Sequence, residues 1–259
     1  MEETEEMKME ARRYAIFFSY DGTAFHGWQM QPNAPTVQQE MERALSTALR
    51  METGVVGAGR TDTGVHARMM ACHFDCNAAI DCDHLAFKLN CLLPPDIAVS
   101  EVRAVAPDWH ARFSALSRTY HYYIIMRKDP FRHPYALRLH FPLNVEKMNE
   151  AAALLLTHKD FGCFCKSHSD NKTNICNVSE AQWTIGADGS LCFSITANRF
   201  LRNMVRAIVG TLIEVGKGKI STEDFRRILE SGKRTEAGES VPAKGLFLEH
   251  IEYLGLSQH

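Results

Sequence analysis

Arg118-Thr-Tyr-His-Tyr-Tyr-Ile-Ile-Met126 constrains the fold more than any other stretch of the chain. Aromatic and β-branched side chains at this density fit a pleated, half-buried surface, so the run reads as a strand. Period-two alternation puts Arg118, Tyr120, Tyr122 and Ile124 on one face. Arg13-Tyr-Ala-Ile-Phe-Phe-Ser-Tyr20 reads the same way, and each strand opens a run of elements in nearly the same order.

In the first run Asp21-Gly22 makes a turn and Phe25-His-Gly-Trp-Gln29 an aromatic loop. Thr36-Val-Gln-Gln39 matches a capping box opening a helix with Val37, Met41, Ala44, Leu45 and Ala48 on its apolar face. Short Val55-Val56 and longer Met70–Asp75 follow as strands, Asp83–Leu92 as a helix stopped by Pro94-Pro95, and Ile97–Val105 as a strand. In the second run Asn144 caps a helix to about Leu156, and two strands form a hairpin around Ala187-Asp-Gly189. Leu201, Met204, Val205, Ile208, Val209 and Leu212 mark a helix face, another helix begins near Ser221, and Gly245–Tyr253 closes the chain as a strand.

The order β-α-β-β-α-β, repeated with one extra helix, predicts an α+β protein. Two ferredoxin-like split β-α-β units form a mainly antiparallel sheet with helices on one face and a central active-site cleft. The expected divisions are an acidic flexible tail at 1–10, an N-terminal subdomain at 11–112 and a C-terminal subdomain at 113–259. No residue-level repeat accompanies the doubled pattern.

The stretch Gly57-Ala-Gly-Arg-Thr-Asp-Thr-Gly-Val-His-Ala67 carries the candidate chemistry. Its glycines mark a backbone that turns with positive φ or lets another group come close. Arg60 stands two residues before Asp62, and in an extended segment the two side chains share one side. The stretch contains no Lys, Ser or Cys, so Asp62 is the candidate reactive group, held beside a cation. His66 reads either as a general base or as a hydrogen-bonded scaffold residue, and Phe25 and Trp28 as base-stacking or packing groups.

Net charge is −2, but the first ten residues hold five Glu and one Lys, leaving about +2 on the other 249. Cations cluster at Arg127, Lys128, Arg132 and His133, at Lys166, His168 and Lys172, and at Arg199, Arg202 and Arg206. Nucleic-acid binding needs such a local basic face rather than a basic total. The acidic N-terminus has no apolar run, and no later stretch approaches the roughly 20 apolar residues that span a bilayer. A soluble, cytoplasmic protein is expected. Eight cysteines are present; Cys72/Cys76/Cys82/His84 and Cys163/Cys165/His168/Cys176 lack paired zinc spacing, and without a secretory signal they read as free thiols.

Five blocks resemble the tRNA pseudouridine synthases of the TruA type. They are Tyr20–Gln29, Gly57–Ala67, Phe113-Ser-Ala-Leu-Ser-Arg-Thr-Tyr-His-Tyr122, Phe200-Leu-Arg-Asn-Met-Val-Arg-Ala-Ile-Val-Gly210 and Ala243-Lys-Gly-Leu-Phe-Leu248. The resemblance implies an isomerase that makes pseudouridine in the tRNA anticodon stem-loop, at positions 38 to 40. It implies Asp62 as catalytic carboxylate, Tyr120 against the base, Arg206 paired with Asp62, Arg60 flipping or holding the nucleotide, and Leu246 beside the uracil. It implies a homodimer that uses no metal and no organic cofactor. Thr63 departs from the family's usual alanine, and the segment from Cys163 to Cys176 has a sequence of its own. Two other classes compete on the residues alone. A metal-dependent phosphoesterase needs carboxylates or histidines converging on an ion, and near Asp62 only His66 and Asp75 qualify. A non-catalytic RNA-binding module would use the same basic clusters and aromatics.

Overall fold

The computed structural model describes residues 11–166 and 172–255; the acidic tail and His168 lie outside the described residues. The chain is α+β, with a mainly antiparallel sheet of nine strands and five α-helices among the described residues. The first half runs β1 (Arg12–Tyr20), α1 (Val37–Leu49), β2 (Val56–Gly57), β3 (His66–Cys76), α2 (Cys82–Leu92) and β4 (Ile97–Val105). The second runs β5 (Ala115–Ile125), β6 (Leu137–Arg138), α3 (Val145–Thr157), β7 (Val178–Ile185), β8 (Leu191–Ala197), α4 (Met204–Gly216), α5 (Thr222–Ser231) and β9 (Leu246–Tyr253).

The strands form one sheet in the order β4-β1-β3-β9-β5-β8-β7, with β2 added to β3 and β6 to β5. The last strand of the chain joins the halves. β9 runs parallel to β3, pairing His66 with Phe247 and Ala67 with Leu248, and antiparallel to β5, pairing Tyr120 with Leu248 and Tyr122 with Leu246. The alternation read on β5 holds, because Arg118, Tyr120 and Tyr122 stand opposite Ala197, Ile195 and Phe193 of β8, all fully buried.

Caps fix the helix starts. Thr36 Oγ1 accepts from the Gln39 N–H at 3.3 Å, Asn144 Oδ1 accepts from the Lys147 N–H at 3.0 Å, and the reciprocal capping box forms at Ser221 and Asp224. α4 starts at Met204 rather than Leu201, because Asn203 takes φ +67° and directs the chain into the helix from the left-handed region.

Buried side chains fall into two clusters. One gathers α3, α4 and α5 over β5, β7 and β8; the other gathers α1 and α2 with β1, β3 and β4, and also takes Leu248, Ile251 and Tyr253 of β9. Tyr120 packs against both. Among the described residues the eight cysteines form no disulfide, and burial pushes the Cys163 thiol up to about 12 and the Cys176 thiol up to about 11. Among the described residues no helix is long and apolar enough to cross a membrane.

Candidate active site

The glycine-rich stretch leaves β2 and returns into β3, and its middle is irregular backbone, not the extended segment expected. The aromatic loop after β1 wraps it. Gly27 sits at φ +87°, and a Cβ there would stand 2.4 Å from the Thr61 carbonyl oxygen, so no larger residue permits this approach. The Trp28 N–H donates to that carbonyl at 3.4 Å, and the Thr61 hydroxyl shares a 2.9 Å hydrogen bond with the Tyr20 hydroxyl. Thr61 is thus gripped from both sides immediately before Asp62. A turn follows, with the Val65 N–H donating to the Asp62 carbonyl at 3.1 Å and Gly64 at φ +75°. Residue 62 is delivered by a rigid frame although no regular element contains it.

α4 and the turn that leads into it supply the cations. Arg206 Nη1 lies 3.5 Å from Asp62 Oδ2, and Arg202 Nε lies 3.8 Å from Asp62 Oδ1. The Asp62 side chain is 26% exposed, Arg206 22% and Arg202 62%, so Arg206 is the sheltered partner and Arg202 the solvated one. Arg206 is also anchored: its Nε donates to the Val241 carbonyl at 2.7 Å, and the Val241 N–H returns a bond to the Arg206 carbonyl at 3.2 Å.

Arg60, expected to flank Asp62, is exposed and makes no ion pair with any described residue. In a turn rather than a strand, the i, i+2 rule does not put the two side chains together. The spacing of Arg202 and Arg206, four apart, fits a solvated helix edge when read alone; the structure instead turns both toward Asp62.

Tyr120 is half-buried on β5, with its ring edge-on to Phe200 at 5.1 Å between centroids. Burial pushes its phenol up to about 12; the Arg118 guanidinium works against that and the Asp62 carboxylate adds to it. Near pH 7 it is a neutral aromatic. Leu246 is buried at the start of β9, across from Tyr122, and Ala243 just before it packs near Gly64 of the Asp62 turn. His66 is a scaffold residue: fully buried, it accepts the Gly22 N–H at Nδ1 (3.0 Å) and stacks on Phe247 at 4.5 Å. Burial lowers its pKa, while the nearby Asp21 carboxylate works the other way. Phe25 and Trp28 are buried packing groups.

The site therefore joins a carboxylate from the first half to two guanidiniums and a neutral tyrosine from the second. Among the described residues no group of three or more His, Cys, Asp or Glu side chains converges to hold a metal ion.

A family model described as tRNA pseudouridine synthase matches residues 16–114 and 151–254. Proteins named tRNA pseudouridine synthase A are similar over almost their whole length. The one from Bacteroides fragilis is 53% identical over 246 residues, covering 95% of this chain and 98% of the relative. The one from Porphyromonas gingivalis is 53% identical, covering 93% and 97%, and that from Bacillus subtilis is 41% identical, covering 93% and 99%.

Proposed function

This chain belongs to the tRNA pseudouridine synthase family, and we propose that it isomerises uridine to pseudouridine in the anticodon stem-loop of tRNA with Asp62 as the catalytic carboxylate. The enzyme is an isomerase acting on tRNA. The observation that supports the role of Asp62 is its setting, a partly exposed carboxylate flanked by an anchored guanidinium, Arg206, and a solvated one, Arg202.

The reaction breaks the bond from uracil N1 to ribose C1′ and forms one from C5 to C1′, with a proton lost at C5 and gained at N1. Atoms and electrons balance within the nucleoside, so no oxidant or reductant enters. An ionised carboxylate serves three routes: attack at C1′, attack at C6, or removal of the C2′ proton. Arg206 stands 3.5 Å from that carboxylate in each. Tyr120, neutral and flat, offers its ring face to the uracil, and Leu246 closes the apolar side.

A stem uridine must leave its stack first, at roughly a few kcal/mol. Arg60 is free to hold the phosphate or fill the gap. The same proposal includes a homodimer acting in the cytoplasm, with backbone phosphates held by the basic clusters at 127–133 and 199–206. Position-resolved pseudouridine mapping on anticodon stem-loop transcripts tests it. Pseudouridine at stem-loop uridines is the expected result. Tight tRNA binding without product would leave a non-catalytic RNA-binding protein.

A further inference from the structure

Arg118 belongs to none of the roles above, yet its guanidinium has a demanding set of partners. Nη1 donates to the Ala115 carbonyl at 3.1 Å and the Asn198 carbonyl at 2.9 Å; Nη2 donates to the Ala58 carbonyl at 3.2 Å and the Arg112 carbonyl at 2.6 Å. No carboxylate among the described residues pairs with it. The charge is spent on backbone.

Those carbonyls come from the segments that build the site. Ala58 stands four residues before Asp62 in the glycine-rich loop. Asn198 opens the segment carrying Phe200, which packs on Tyr120, and then Arg202 and Arg206. Arg112 and Ala115 lead into β5, which carries Tyr120 two residues after Arg118 itself. A planar guanidinium can bind four acceptors in fixed directions, whereas an ammonium group is a point charge with three rotatable donors.

We propose that Arg118 is a positioning residue for the isomerisation, tying the Asp62 loop, the Arg202–Arg206 segment and the Tyr120 strand into one geometry. This rests on the pseudouridine synthase reading. Because all four donor contacts are internal, Arg118 contributes to turnover and not to holding tRNA.

The test compares wild-type protein with Arg118→Lys and Arg118→Gln on an anticodon stem-loop transcript, well below each melting temperature. The rate constant is read in single turnover at saturating enzyme, where it does not depend on the folded fraction. A misplacement of about 1 Å is worth about 10²-fold in rate, so a loss of roughly a hundredfold is expected for Arg118→Gln and roughly tenfold for Arg118→Lys. KM for the transcript should move by less than about threefold, as for a group that leaves ground-state binding alone. Should Arg118→Gln not fold, Arg118→Lys, which keeps length and charge, gives the reading. A Lys variant whose single-turnover rate matches wild type, or one that raises KM with kcat unchanged, overturns the role of Arg118 and leaves the enzyme assignment standing. A wild-type protein that forms no pseudouridine removes the assignment and the role of Arg118 with it.

Discussion

Arg206 meets Asp62 at 3.5 Å with its Nε already committed to the Val241 carbonyl at 2.7 Å. One edge of the guanidinium is fixed to backbone and another is offered to the carboxylate, an arrangement that a lysine cannot reproduce. Arg202 has no such anchor and is mostly solvated. Arg206→Lys should therefore lower the single-turnover rate by roughly a hundredfold, as expected for a misplaced catalytic group. Arg202→Ala should lower it by less than about fivefold, the rate equivalent of an exposed ion pair worth up to 1 kcal/mol. Equal effects of the two substitutions would show that the anchoring has no consequence.

Tyr120 gives a prediction in pH. With its phenol held up at about 12, a base role for the phenolate would make the rate climb about tenfold per pH unit from 7 toward 11. A stacking role gives no such alkaline limb. The expected profile is level from pH 7.5 to 9.5. Spectrophotometric titration of wild type against Tyr120→Phe should find no phenolate from this residue below pH 11.

Much of this architecture was legible because burial and alternation write themselves into sequence. Arg118, Tyr120 and Tyr122 lie on the face that their spacing predicted, and the Asn144 and Ser221 caps stand where their side-chain chemistry put them. What escaped was set by long-range geometry. The parallel pairing of His66 with Phe247 links residues far apart in the chain, and no local pattern encodes it. Arg206, the partner that the resemblance implied, meets Asp62, whereas Arg60, two residues away, does not, because the loop is held by Tyr20, Gly27 and Trp28 in a shape that alternation does not describe. The four carbonyls on Arg118 are likewise invisible until the loops close around it.

His73 should make the fold acid-sensitive. It is buried on β3 and accepts the Ala111 N–H at Nδ1. Burial lowers its pKa from 6.5 to about 4, with Arg13 and His110 adding to the effect. The unfolded chain takes up the proton near pH 6.5 and the folded chain near 4, so the unfolded state holds more protons between those values. Stability is therefore whole above pH 6.5 and falls as pH drops through the window, by about 3 kcal/mol for this group. Urea unfolding at pH 7 and pH 4.5 measures it. His73→Asn, which keeps an acceptor but cannot titrate, should flatten the slope; His110, also lowered by burial, leaves a smaller residue of it.

Arg60, exposed and unpaired among the described residues, should act on tRNA rather than on Asp62. Arg60→Ala should weaken binding at low salt and reduce the log–log salt slope by about one counterion. If Arg60 also holds the flipped nucleotide, the rate at saturating enzyme falls as well. Unchanged affinity and slope would take Arg60 out of the RNA interface.

Asp62→Asn tests the assignment most directly. The substitution keeps shape and volume and removes the ionised oxygen that all three routes require. No pseudouridine should form even with enzyme in excess of tRNA. Affinity for tRNA should hold or rise slightly, since Arg202 and Arg206 lose the carboxylate now 3.8 and 3.5 Å away and gain freedom to meet phosphate. A purely structural ion pair predicts the reverse pattern: stability drops by about 1–3 kcal/mol, and the protein that remains folded turns over normally. Release of label from uracil C5 in a single turnover, taken with a melting curve and a binding isotherm, separates the two. A well-folded Asp62→Asn protein that releases label at the wild-type rate would remove Asp62 from the mechanism.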